Sequence, residues 1–204
     1  MENIGNTEKN IVRAAWSVFV EKGYDGATMR EIAAGAGINI SMLHYYYRSK
    51  DNLFDIVFDR AFQRLYGPAI RTIASDQPIG EKIRAIVTLY TDTLAEDPRI
   101  ANFIFNEVTQ RSTRPGRFAK YKALIDRQVD IFQQQLDREA RLGRIRPVSA
   151  MELLVHIGSL CMYPFMTFPL WEKIFDVDRE AFTRLILSQR ETYVRNILKS
   201  IEKK

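Results

Sequence analysis

Apolar residues recur at three- and four-residue spacing along nearly the whole chain, and no segment sustains the period-two alternation of a half-buried strand. Val12, Ala15, Trp16 and Phe19 fall at i, i+3, i+4 and i+7, with Thr7 placed to cap that helix and Gly23 to end it. Thr28-Met29-Arg30-Glu31 has the form of a capping box, so a second helix begins there. Its apolar face is Met29, Ile32, Ala33 and Ala36, and Gly35-Ala36-Gly37 breaks it. Asn39 caps a short third helix. Ser49 caps a long fourth one, with Phe54, Val57, Phe58, Ala61 and Leu65 inward and Gly67-Pro68 as its kink or end.

The same period continues to the C-terminus. Ile79–Glu96 and Pro98–Arg111 read as helices parted by Asp97-Pro98, and Pro115–Leu142 carries a stripe of Phe118, Tyr121, Ile125, Val129, Phe132 and Leu136. Ser149 caps a helix towards Pro164, and Asp178 caps a last one with Phe182, Ile186, Tyr193, Ile197 and Ile201. The expectation is an all-α fold of about nine helices, in which an N-terminal three-helix unit precedes a larger helical domain.

A chain of 204 residues has the bulk for one large or two small domains. Its single cysteine, Cys161, excludes a disulfide framework and a Cys-rich zinc site, and His44 and His156 lie too far apart to suggest a metal centre. The polar opening Met1–Asn6 has no signal-peptide pattern, and the expected compartment is the cytoplasm. Leu153–Trp171 holds no charged residue and nearly reaches membrane-spanning length, but Gly158, Pro164 and Pro169 interrupt it. A core or subunit-interface helix is the better reading, and no membrane partner is expected. The formal net charge of +5 permits nucleic acid without requiring it. Bulk charge would also misplace the functional surface. Basic residues exceed acidic ones by one over Met1–Lys50 and by six over Arg111–Arg146, where a solvated face is the ordinary explanation.

Helix, Gly-containing turn and helix between Thr28 and Tyr47 form a helix-turn-helix arrangement. Leu43, Tyr46 and Tyr47 make the inward face of its third helix, which leaves Ile40, Ser41, His44 and Tyr45 on the other side. A solvated helix would carry Lys, Glu or Gln there. An aliphatic, a hydroxyl, an imidazole and a phenol instead suit thymine methyls, base edges and phosphates. Lys50, in the first turn of the fourth helix, opposes the macrodipole at a small cost unless its partner is an anion such as phosphate. Arg30 and Arg48 offer similar contacts.

Over Ile11–Phe58 the chain resembles the N-terminal domain of the TetR/AcrR family of bacterial transcriptional regulators. The matching residues run Ala14-Ala15, Phe19, Gly23-Tyr24, Ala27-Thr28, Ile32-Ala33, Ala36-Gly37-Ile38, Leu43, Tyr45-Tyr46-Tyr47, Ser49-Lys50 and Leu53-Phe54. The resemblance implies that the third helix enters the major groove. Ile40, Ser41, Met42, His44 and Tyr45 would then face DNA, while Thr28, Arg30, Tyr46 and Lys50 orient on the backbone. Ile40, Met42 and His44 depart from the family's usual residues, so no relative's operator sequence carries over.

The resemblance further implies a DNA-binding domain over 1–48 with its motif at 28–47, a linking helix over 49–66, and an effector-binding and dimerisation domain over 67–204. A homodimer would read a palindromic double-stranded operator, and a small-molecule effector would release a repressor from it. Leu153, Leu154, Ile157, Phe182, Ile186, Tyr193, Ile197 and Ile201 are the expected dimer contacts. Tyr90, Phe103, Phe105, Tyr121, Met162, Phe165, Met166, Phe168 and Trp171 are the expected lining for an apolar or aromatic effector. A helix-turn-helix regulator acting with a protein partner and no effector is the second reading. An enzyme is disfavoured, since no Gly-rich phosphate loop, His-rich metal spacing or nucleophile elbow occurs, and no cofactor is expected.

Overall fold

The computed structural model of the chain describes residues 2–109 and 119–203, and every regular element among them is an α-helix. In order these are α1 (Glu2–Gly26), α2 (Met29–Gly35), α3 (Ile40–Tyr47), α4 (Lys50–Leu65), α5 (Gly67–Ile73), α6 (Ile79–Glu96), α7 (Arg99–Thr109), α8 (Ala119–Arg141), α9 (Ala150–Met166), α10 (Phe168–Phe175), α11 (Arg179–Ser188) and α12 (Arg190–Ile201). Pro115, Phe118 and the start of the basic Arg111–Arg146 stretch lie outside the described residues.

Contacts divide the chain into two compact units, Met1–Phe62 and Gln63–Lys204. The first extends beyond residue 48 because α4 completes its core. Leu53, Phe54, Val57 and Phe58 are buried with Ile11, Val12, Ala15 and Phe19 of α1, and the Phe54 ring meets Phe19 edge-on at 4.7 Å between centroids. Thr7 lies within α1 rather than at its start. Gly23 does interrupt that helix: its φ of 68° and ψ of 179° are outside helical geometry, and glycine reaches a positive φ without a Cβ clash.

The second unit is built around α6, which packs on α5, α7, α9, α11 and α12 and buries Ile83, Ile86, Val87, Tyr90 and Leu94. Twelve helices among the described residues, against an expected nine, come from three local events. Pro68 and Pro169 sit in the first turns of α5 and α10, where a missing N–H costs nothing, so both start helices that the sequence reading treated as breaks. The final helix divides at Gln189, whose φ of −86° and ψ of −2° end α11 and begin α12. Pro164 lies inside α9, leaving the Leu160 carbonyl without its usual donor, yet the helix runs on to Met166. α9 and α10 meet at a 60° bend, so the uncharged Leu153–Trp171 stretch is not one rod. Among the described residues no single helix is long and apolar enough to cross a membrane.

A buried cation ties this unit together. Lys82 on α6 is 1% exposed, and its ammonium donates to the Ile73 carbonyl at the end of α5 (2.7 Å) and to Gln135 Oε1 on α8 (2.5 Å). Gln135 Nε2 in turn donates to the Gln77 carbonyl at 2.9 Å, which fixes the amide's orientation. Burial holds the Lys82 pKa below the ordinary lysine value, partly offset by Asp76.

Candidate nucleic-acid interface

The turn between α2 and α3 is set by local chemistry. Thr28 has extended backbone (φ −120°, ψ 148°) and its Oγ1 accepts from Glu31 N at 3.2 Å, while Glu31 Oε2 accepts from Thr28 N at 3.1 Å. This reciprocal capping box satisfies two donors that a helix start otherwise leaves unpaired. Lys22 donates to Glu31 at 2.6 Å, and that contact, with the two from Thr28, pulls the carboxyl down to about 2. At the other end Ala36 N donates to the Ile32 carbonyl and Ile38 N to the Ala33 carbonyl, each at 3.0 Å, and Gly37 turns the chain at φ 68°. A Cβ at Gly37 would meet nothing within 4 Å, so the demand for glycine is conformational rather than spatial. Asn39 then caps α3 by accepting from Met42 N at 2.8 Å.

α3 is pinned by its inner face. Leu43 and Tyr47 are buried, and Tyr46 is half-buried rather than fully inward. Turned to solvent are Ile40 (41% exposed), Ser41, Met42 (42%), His44 and Tyr45 (82%). No hydrophobic force places a phenol or a thioether there, because exposing them gains nothing for the fold. Thr28 and Arg30 are exposed on the neighbouring α2 end of the motif, and Tyr45 meets the Tyr46 ring edge-on at 5.6 Å. The His44 ring lies with Nδ1 3.2 Å from the Arg48 carbonyl, a contact in which the ring nitrogen donates, leaving Nε2 as its other hydrogen-bonding atom. Arg48 closes α3 at a φ of 53° with its N–H donating to the His44 carbonyl at 2.9 Å.

Lys50 is placed differently from the phosphate contact expected of it. Its ammonium donates to the Tyr24 and Ala27 carbonyls at 2.9 and 3.0 Å and lies 4.3 Å from the Tyr24 ring centroid. Tyr24 in turn donates its hydroxyl to Asp51 and meets the Phe54 ring edge-on. Lys50 therefore clamps the start of α4 onto the end of α1 and the residue that follows it. Sequence spacing brought Lys50 to notice for its charge; the carbonyls it binds leave no trace in a residue pattern.

Of the nine aromatic and methionine positions singled out in the second unit, Tyr90, Phe103, Tyr121, Phe165 and Phe168 are buried and Met162, Met166 and Trp171 half-buried. Phe105 is 53% exposed: two residues from Phe103 it points the other way round α7 and belongs to no interior lining. Tyr66, Tyr90 and Met162 come together, with the two rings 6.2 Å apart and edge-on, and the Tyr66 hydroxyl 3.8 Å from Met162 Sδ. Trp171 Nε1 donates to Thr167 Oγ1 at 2.9 Å, and Asn102 Nδ2 to the Met166 carbonyl at 3.3 Å. Among the described residues, two surface hollows lie elsewhere in this unit. One of about 240 Å³ is lined by Gln63, Gly67, Ile70, Arg71, Ala74, Leu124 and Gln128. A second, of about 600 Å³, runs past Pro78, Gly80, Gln135, Arg138 and Leu198. Neither is lined by any of the nine.

The residues expected at a dimer contact are mostly turned inward. Leu153, Ile157, Phe182, Ile186, Ile197 and Ile201 are buried in the chain's own core, and only Leu154 and Tyr193 keep substantial surface. The exposed apolar residues of the same region are Met151, Val155 and Tyr163 on α9, Leu170, Ile174 and Phe175 on α10, and Leu185 on α11. His156 Nδ1 lies 3.4 Å from Ser200 Oγ on α12, and burial pushes the Cys161 thiol up to about 12, far from nucleophilic range. Among the described residues no group of His, Cys, Asp and Glu is arranged to hold a metal ion.

A sequence model described as bacterial regulatory proteins, tetR family, matches residues 11–57, and one described as tetracyclin repressor-like, C-terminal domain, matches residues 80–192. The chain is 23% identical over 164 residues to the probable HTH-type transcriptional regulator YttP of Bacillus subtilis, covering 79% of this chain and 78% of that one. It is 23% identical over 159 residues to the HTH-type transcriptional repressor NicS of Pseudomonas putida, covering 77% and 74%. Among solved structures, a TetR family transcription regulator from Marinobacter aquaeolei superposes with a TM-score of 0.71 at 14% identity, over 100% of this chain and 99% of that one.

Proposed function

The chain belongs to the tetR family of bacterial regulatory proteins, and from that premise we propose that it is an operator-binding repressor released by a small molecule. The observation that carries this reading is the outer face of α3, where Ile40, Ser41, Met42, His44 and Tyr45 stand in solvent on a helix anchored by Leu43 and Tyr47. In a major groove this face would offer apolar contacts to thymine methyls and an imidazole nitrogen to base edges. Thr28, Arg30 and Tyr46 would position the phosphates, and Lys50 would hold the α4 start in register for them.

Regulators of this family bind operator DNA and act as dimers. For this chain the dimer contact is the exposed apolar set Met151, Val155, Tyr163 and Leu185, flanked by Leu154 and Tyr193. An uncovered apolar surface of this kind is a solubility liability in a monomer. A two-fold protein would read a roughly palindromic site and would work in the cytoplasm, where its DNA partner is. The buried aromatic and methionine residues of the second unit would form the effector site, and no catalytic step is assigned to them.

A promoter–reporter carrying a site selected by the purified protein tests this reading. Expression should fall when the protein is supplied and recover with an effector that binds it. Expression that rises with the protein would overturn repression. Val155→Asp should yield monomers by light scattering with weakened operator binding, and a dimer of full affinity would overturn the assigned contact.

A further inference from the structure

Tyr90 is an anomaly in the centre of the second unit. It is 7% exposed, yet among the described residues its hydroxyl has no hydrogen-bond partner. Among the described residues no fully enclosed side-chain oxygen or nitrogen lacks a partner, so this hydroxyl must still touch open space. With so little of the residue exposed, that space is a narrow one beside a buried side chain, and the same burial raises the Tyr90 pKa. A buried hydroxyl without an acceptor is costly, and native folds rarely leave one idle.

Its surroundings are apolar and soft. The Tyr66 ring meets it edge-on, Tyr66 directs its own hydroxyl at Met162 Sδ, a weak acceptor, and Cys161 is the other group near enough to influence Tyr90 electrostatically. The cation near Cys161 is Arg190, and its guanidinium is held by Thr91 Oγ1 at 2.7 Å and by Asp92. An anionic ligand would thus find its positive charge already paired. A cationic ligand would likewise find the Asp92 carboxylate already taken by Arg190.

We propose that the Tyr90 hydroxyl is the polar anchor of the effector site, and that the effector is an uncharged, largely apolar molecule carrying one hydrogen-bond-accepting oxygen, such as a ketone. The proposal rests on the effector reading above. Met162, an unbranched and flexible neighbour of this cluster, would give way as the ligand enters.

The test uses two matched sets of probes on the full-length, DNA-free protein: 2-decanone, decanoate and decylammonium, then 2-adamantanone, 1-adamantanecarboxylate and 1-adamantylammonium. Binding is read by calorimetry. At least one ketone should bind ten-fold or more tighter than its charged counterparts, and Tyr90→Phe should weaken it about 3–10-fold. The free Tyr90→Phe protein should melt no lower than wild type, since the lost hydroxyl had no partner. Failure of both ketones to bind, equal binding of a charged counterpart, insensitivity to Tyr90→Phe, or a lower melting temperature of the free variant would each overturn the proposal. If a ketone binds through Tyr90 while operator affinity stays unchanged, the anchor stands and the release reading fails.

Discussion

Replacing Lys82 with methionine removes one buried ammonium and keeps an unbranched apolar stem beside Phe132. Two charge-assisted hydrogen bonds disappear, each contributing about 1.5–3 kcal/mol. Against that loss, the variant no longer has to strip water from a cation, a penalty of several kcal/mol in a dry site. These two effects roughly cancel, and what they leave behind decides the sign. Gln135 is half-buried and can turn its amide to water. The Ile73 carbonyl, at the end of α5 under a residue 3% exposed, cannot, and an orphaned buried acceptor costs about 1–3 kcal/mol. For a unit of roughly 140 residues, with an unfolding entropy near 2.1 cal/mol/K per residue, that is a fall in Tm of about 3–10 °C.

The pH dependence gives the prediction a second arm. Burial lowers the Lys82 pKa in the folded chain, so between that value and the ordinary 10.5 the unfolded chain holds more protons than the native one. Stability from this group therefore rises with pH through that window and is complete above it. Methionine cannot show this gain, and the Tm gap between wild type and Lys82→Met should widen as the buffer moves from neutral towards 10.5. Scanning calorimetry of both proteins across that range measures it. A variant that melts with wild type at neutral pH, or a gap that narrows with rising pH, would refute the clasp.

Glu31→Gln should flatten the acid side of the N-terminal unit's stability. A carboxyl at about 2 when folded and near 4.5 when unfolded stabilises above 4.5 and loses that contribution as pH falls towards 2, which circular dichroism melts would follow. Leu43→Ala removes a side chain with no exposed surface and should cost about 2–5 kcal/mol. A unit of roughly 60 residues holds only about 3–9 kcal/mol in total, so the loss takes a large share of it and amide protons of the helix-turn-helix should exchange much faster than in wild type. Tyr45→Ala, at a side chain 82% exposed, should leave the melt within about 0.5 kcal/mol of wild type while weakening operator binding by about 1–3 kcal/mol per subunit.

The N-terminal unit was legible in the sequence because each of its signals is local. Thr28 with Glu31, Gly37 and Asn39 each act within three or four residues, and the structure forms all of those caps and turns. The phase of α9 was not legible. Leu153, Ile157 and Cys161 repeat every four residues, and so do Met151 and Val155, on a helix apolar all round. Hydrophobicity alone cannot say which of two apolar stripes meets α6 and which stays outside. Pro68 and Pro169 misled for a related reason, since a proline that ends one helix also suits the first turn of the next. The Lys82 clasp and the Lys50 clamp bind backbone carbonyls, whose positions only the folded chain defines.

Selection of a random duplex library by the purified protein, followed by titration of the winning site with Tyr45→Ala, tests the central claim most directly. The account predicts one enriched, roughly two-fold symmetric sequence, bound with a steep salt dependence, and bound more weakly by a variant that folds as well as wild type. Enrichment of no duplex sequence, or a selected site that Tyr45→Ala binds as tightly as wild type does, would contradict it.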